Sequence, residues 1–159
     1  MMSRASKALA AALVLMLSGC SGEQPAQADP DRMTAPMSAD EVRAEMARVR
    51  AVTPLPSGAG WLAVELDPDG TYGSYAGGSM VEFQALCAWL IAATQAAAKA
   101  DEAAYAAVVT VVEDIPSWRS FSDPTLSDAA FRIKVDSLAI DVADRELRAV
   151  GQFIGANCG

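Results

Sequence analysis

Histidine is absent from all 159 residues. The usual general base near neutral pH and the commonest metal ligand are therefore missing. Neither a Ser-His-Asp nor a Cys-His site can be assembled within this chain, and an HExxH zinc site is excluded with them. Basic residues are also scarce, 12 against 20 acidic ones. Such a balance repels phosphate backbones and anionic lipid headgroups. Nucleic acid is not an expected partner, and any membrane attachment must come from something other than a basic patch. Cysteine occurs three times, at Cys20, Cys87 and Cys158, and no internal repeat is visible.

The first twenty residues hold the most specific pattern. Met1-Met2-Ser3-Arg4-Ala5-Ser6-Lys7 is a basic start, and Ala8 to Leu17 is apolar. That stretch has the length of a secretory signal and falls short of the roughly 20 residues of a membrane-spanning helix. It runs directly into Leu17-Ser18-Gly19-Cys20. This segment resembles the lipobox of bacterial lipoproteins. The resemblance implies cleavage between Gly19 and Cys20, a diacylglyceryl group on the Cys20 thiol, and acylation of the new amino terminus. Two chains hold a protein on a bilayer stably where one holds it only marginally. Ala26-Gln27-Ala28 offers a competing site for ordinary secretion, but Glu23 and Pro25 separate it from the apolar run.

On this reading residues 1–19 are a signal peptide, 20–38 a flexible tether and 39–159 a single domain. Removing the signal takes away Arg4 and Lys7 and no acid, so the mature chain is more acidic still. The tether holds Gly, Pro, Gln, Asp, Ser and Thr with few large apolar side chains. Lipid on Cys20 leaves Cys87 and Cys158 as an even pair outside the cytoplasm. A disulfide is the natural expectation, with two buried free thiols as the alternative. A catalytic Cys87 would lack any histidine to activate it.

The domain reads as mainly α, a bundle of about four helices with a small β-hairpin. Ser38 can cap a helix starting near Ala39, with Asp40 and Glu41 in the first turn and Val42, Met46 and Val49 on one face. Pro54 and Pro56 end it. Trp61 to Leu66 alternates as a strand, Asp67-Pro68-Asp69-Gly70 is a turn, and Thr71 to Tyr75 returns. Gly77-Gly78-Ser79 opens a helix at Ser79 that runs to Lys99. Phe83, Leu86, Cys87, Leu90 and Ile91 form its core face. A third helix follows from Asp101-Glu102 to Val112, and Ser117 to Pro124 is a loop. A last helix spans 126–156, opened by a capping box at Thr125-Leu126-Ser127-Asp128. Ile133, Ile140, Leu147 and Ile154 recur every seven residues beside a second stripe, Phe131, Val135, Leu138 and Val142, so it should pack on two sides. Asp141–Arg145 and Asp144–Arg148 are its expected i,i+4 ion pairs.

Candidate chemistry is sparse. Trp61, Tyr72 and Tyr75 beside Gly70, Gly73, Gly77 and Gly78 could form a ligand surface that stacks on sugars or grips a peptide; the alternative is a Trp61 that caps the core. Gly77-Gly78-Ser79 could cradle an anion, but no phosphate-loop pattern accompanies it. The acidic pairs Asp101-Glu102, Glu113-Asp114 and Asp67/Asp69 could serve hydrolysis or calcium, or simply be solvated surface. Trp118 and Arg119 could make a local cation–π contact. Phe83-Gln84-Ala85-Leu86-Cys87-Ala88-Trp89 is similar to small actinobacterial envelope proteins of unknown function, a resemblance that implies no catalytic residue. No cofactor and no metal are expected. The chain is expected at the extracytoplasmic face of a cell membrane or outer membrane, held by lipid on Cys20. There it would be a non-enzymatic binding or interaction module for an unknown envelope protein. A small-ligand or glycan binder using the aromatic hairpin is the alternative, and a wall-modifying hydrolase using the acidic residues a second.

Overall fold

A computed structural model describes residues 35–159, so the signal, the lipobox and most of the tether lie outside the described residues. The described chain is helical: α1 Ala39–Arg50, α2 Ala76–Ala98, α3 Glu102–Val112, a 3-10 turn Ile115–Ser117, a short α4 Arg119–Ser122, α5 Ala129–Ala143 and α6 Leu147–Asn157. Helix α2 is the hub. Helices α1, α3, α4 and α6 all pack on it, and α5 packs on α3, α4 and α6.

Helix α1 begins where its sequence places it. Ser38 accepts from the Glu41 N–H while the Glu41 carboxylate accepts from the Ser38 N–H at 2.8 Å, a reciprocal cap. Val42 and Met46 are buried against Val81, with Trp61, Val64, Leu66 and Tyr72 around them. The helices meet at Gly77, where a Cβ would lie 2.5 Å from the Val42 carbonyl oxygen. Beyond α1 the chain crosses α2, and the Trp89 indole N–H donates to the Pro54 carbonyl at 3.0 Å.

The expected β-hairpin does not form. Its turn exists, with the Gly70 N–H donating to the Asp67 carbonyl at 3.0 Å. The returning chain, however, does not pair with residues 61–66. Tyr72 instead exchanges two backbone hydrogen bonds with Met37, an isolated antiparallel bridge. A pleated strand would send Leu62, Val64 and Leu66 to one face. Here Trp61, Val64 and Leu66 pack on α1 while Leu62 is 68% exposed, a spacing no strand produces.

Helix α2 starts three residues before Ser79, so Ser79 lies inside it and caps nothing. By length and composition it is apolar enough to cross a membrane; in this fold 56% of its most apolar window is buried inside the domain. Leu86, Trp89, Leu90, Ala93 and Ala96 join Tyr105, Val108, Val112, Ile115, Phe121, Val135, Leu138, Val142, Val150 and Phe153 in the main core. Val108 to Val112 is helical, as its Ala- and Glu-rich approach suggests. Helix α2 ends at Ala98, and Ala100 just beyond it has a φ of 52° that lets the Asp101 N–H reach back to the Ala96 carbonyl. Asp101 then turns its carboxylate to the Ala104 N–H and opens α3.

The long final helix is two helices. Arg145 adopts φ 61°, and the Glu146 N–H bonds the Asp141 carbonyl at 2.7 Å, closing α5 before α6 begins. Arg145 therefore leaves Asp141 and pairs with Glu102 of α3, lying 4.5 Å above the Tyr105 ring. The helix also starts later than expected. Asp128, not Thr125, is the cap, accepting from the Phe131 N–H at 2.7 Å, while Thr125 bonds Asp123. Of the two apolar stripes, Val135, Leu138 and Val142 are buried, whereas Ile133 and Ile140 are 64% and 60% exposed. The expected loop after Ser117 contains α4. Cys158 meets Cys87 as a disulfide with Cα atoms 5.5 Å apart, spanning 71 residues of sequence. Closing a loop of that length constrains the unfolded chain by about 4 kcal/mol in the chain-entropy model.

Candidate functional site

The first two turns of α2 and the short α4 build the most elaborate polar cluster in the domain. Its centre is Glu82, the one charged residue of α2 and only 6% exposed. A buried carboxylate needs donors on its oxygens. The Ser120 N–H, in the first turn of α4, donates to Oε2 at 2.7 Å, and the Tyr75 hydroxyl donates to Oε1 at 2.9 Å. The Ser120 hydroxyl reaches Ser79 Oγ at 3.3 Å.

Tyr75 is held from both sides. It has φ 61°, which turns its ring back along α2. A Cβ at position 78 would lie 2.3 Å from that ring, so only glycine leaves room for it. The Arg119 guanidinium sits 4.3 Å from the ring centroid on the cation–π pattern. Burial and the hydrogen bond to the Glu82 carboxylate push the phenol well above its ordinary range. Arg119 thus stacks on Tyr75, not on Trp118, whose indole N–H donates to Asp114 and whose ring stacks on Phe121 at 6.5 Å.

Beside this cluster opens a cleft of about 490 Å³ between α2, α4 and the chain leading into α5. Met80, Phe83, Phe121, Leu126 and Phe131 give it an apolar floor; Ser79, Ser120, Ser127 and Asp128 contribute the polar edge. The rings of Phe83, Phe121 and Phe131 form a chain with centroid spacings of 6.3 and 6.0 Å. Asp128 is the one ionisable group in the lining, and its Oδ1 is committed to the cap of α5. The Ser127 hydroxyl oxygen is shielded from solvent with no hydrogen-bond partner, while the Ser127 carbonyl accepts from Arg132.

The three aromatic residues expected as a ligand surface are divided. Trp61 and Tyr72 line the small core with α1, Trp61 beneath the Arg50 guanidinium at 5.4 Å and Tyr72 donating its hydroxyl to the Asp67 carbonyl at 3.1 Å. Tyr75 belongs to the Glu82 cluster. Gly77 and Gly78 serve close approach, and the Gly78 N–H at the start of α2 donates to the Glu45 carboxylate of α1 at 3.2 Å. The chain supplies its own anion there. The acidic pairs hold local structure. Asp101 caps α3, Glu102 pairs with Arg145, Asp114 receives Ser117 and Trp118, and Asp67 receives the Asp69 N–H. Among the described residues no three Cys, Asp or Glu side chains converge as a metal site would require.

Sequence reasoning passed over Glu82 and the cleft. One signal was available, a lone charge in a 23-residue helix otherwise free of charge. The cleft had none, because its walls come from three separated segments. Comparison with protein-family models, with curated proteins and with solved structures finds no match to this chain.

Proposed function

We propose that this protein is a lipid-anchored, extracytoplasmic binding or interaction module without catalytic activity. The observation that carries the proposal is Leu17-Ser18-Gly19-Cys20 abutting a short apolar run behind Arg4 and Lys7. The chemistry of the domain supports it. The chain has no histidine, and its pairs of neighbouring carboxylates cap helices, turn loops or pair with arginine instead of facing one another across a cleft. The one cleft described above is lined by aromatic rings and hydroxyls, a surface suited to holding a molecule unchanged. The Cys87–Cys158 pairing fits an oxidising compartment.

Intact-mass measurement of the protein extracted from cell envelopes tests this. The expected product begins at Cys20, carries the diacylglyceryl and acyl groups, and has no free thiol. Cys20→Ser should leave the precursor uncleaved. An unprocessed cytosolic chain with three reduced cysteines would overturn the proposal.

A further inference from the structure

We infer that the cleft between α2 and the α4–α5 connection binds a small uncharged amphiphile, an aromatic or aliphatic body bearing one hydrogen-bonding head. The inference rests on the binding reading above and supplies its ligand class. Three observations converge on it. The first is size: about 490 Å³ lies inside the range of roughly 300–1,000 Å³ typical of small-molecule sites. The second is the wall. Phe83 and Phe131, half-buried with centroids 6.3 Å apart, present ring surface to a flat or flexible apolar body, and Phe121 backs Phe131 at 6.0 Å. Their bases are fixed in the main core, where Phe121 is 3% exposed and Phe83 and Phe131 pack on it, so the wall is preformed.

The third is Ser127. Buried hydroxyls almost always find partners, and the Ser127 Oγ has none. It lines the same cleft. A turn about χ1 would bring this oxygen into the cleft, where a ligand head that donates to it or accepts from it removes the deficit. The charge of that head follows from the lining, in which Asp128 is the only ionisable group. An anionic head would face the Asp128 carboxylate, while the Arg132 guanidinium at this edge is engaged by the Ser127 carbonyl, so carboxylates and sulfonates are disfavoured. The reading therefore separates an uncharged amphiphile from a free fatty acid.

The test is a fluorescence titration of the folded domain with N-phenyl-1-naphthylamine, an uncharged amphiphile with one N–H, against 1-anilinonaphthalene-8-sulfonate, a related ring system carrying a negative charge. Trp118, stacked on Phe121 at the cleft wall, serves as an energy donor together with Trp61 and Trp89. The uncharged probe should bind saturably with energy transfer, and the sulfonate at least tenfold more weakly. Ser127→Ala, which removes a hydroxyl with no partner in the fold, should not lower the melting temperature and should weaken the uncharged probe by about fivefold, and full-strength binding in this variant would overturn the assignment of the head. Leu126→Trp should fill the cleft and abolish binding, with far-ultraviolet circular dichroism confirming the fold. No saturable binding, or equal affinity for both probes, overturns the inference. So does unchanged binding in a folded Leu126→Trp protein. None of these results touches the lipid anchor. Loss of processing at Cys20 would in turn leave the cleft titration intact.

Discussion

The Glu82 carboxylate accepts the Ser120 backbone N–H at 2.7 Å across 38 residues of sequence, tying the core helix to the short α4. The same carboxylate accepts the Tyr75 hydroxyl, so one buried charge organises two segments. Removing it orphans two donors, each costing about 1–3 kcal/mol when buried. Glu82→Ala should destabilise the domain by about 2–4 kcal/mol in urea denaturation at neutral pH. Glu82→Gln keeps an acceptor for the Ser120 N–H and can donate its amide N–H to the Tyr75 oxygen, but loses the charge-assisted bonds, and should fall between that variant and the wild type.

Alkaline stability follows from Tyr75 and Tyr105. Burial raises both phenols above their ordinary value of 10.0, and Glu82 raises Tyr75 further. For an acid with a raised folded-state value, the folded protein holds its proton after the unfolded chain has lost it. Stability is therefore fully present below pH 10 and declines as pH rises beyond it. Ultraviolet titration should show Tyr75 and Tyr105 ionising above the ordinary phenol range. Tyr75→Phe should flatten the alkaline decline, leaving the part that belongs to Tyr105.

Two glycines make opposite predictions. At Gly77 a Cβ would meet the Val42 carbonyl at 2.5 Å and the Met46 N–H at 3.0 Å, backbone atoms that cannot swing aside. Gly77→Ala must push α1 off α2 and should cost about 2–4 kcal/mol, within the range of strained core substitutions. At Gly151, inside α6, nothing lies within 4 Å. Gly151→Ala should stabilise by about 0.5–1 kcal/mol through helix propensity alone. Thermal melts of the two variants should move in opposite directions.

Arg145 holds a left-handed backbone at φ 61° while its side chain pairs with Glu102 and covers Tyr105. The pair is solvent-exposed and adds little to stability, whereas the backbone conformation costs a residue with a Cβ about 1–2 kcal/mol relative to glycine. Arg145→Gly should therefore be more stable than Arg145→Ala by about 1 kcal/mol in chemical denaturation. The reverse order would mean that the α5–α6 corner is not held in this geometry.

Legibility in the sequence followed the presence of local signals. Helix α1 was readable because Ser38, Glu41 and the Val42–Met46 spacing all act within a few residues. The end of α2 near Lys99 and the start of α3 at Asp101-Glu102 were also readable to within a residue, whereas the break between α5 and α6 was not, since Arg145 occupies a position where glycine usually marks the stop. An unbroken apolar heptad ran straight through the second corner, and two of its isoleucines ended in solvent. The hairpin was misread for a different reason. Its turn chemistry is genuine, but the partner that claims Tyr72 is Met37, 35 residues earlier, and no local pattern announces it. The cleft is more distant still from sequence, because its rings sit at positions 83, 121 and 131 and only tertiary packing unites them.

The α2–α3 corner spends a single residue, Asp101, on both closing one helix and launching the next. Such a joint has no slack. One inserted residue would rotate α3 by about 100° and turn Tyr105 and Val108 away from their seats. A reporter or affinity handle belongs instead near Gly58, whose surroundings are empty and whose backbone already makes an open bend.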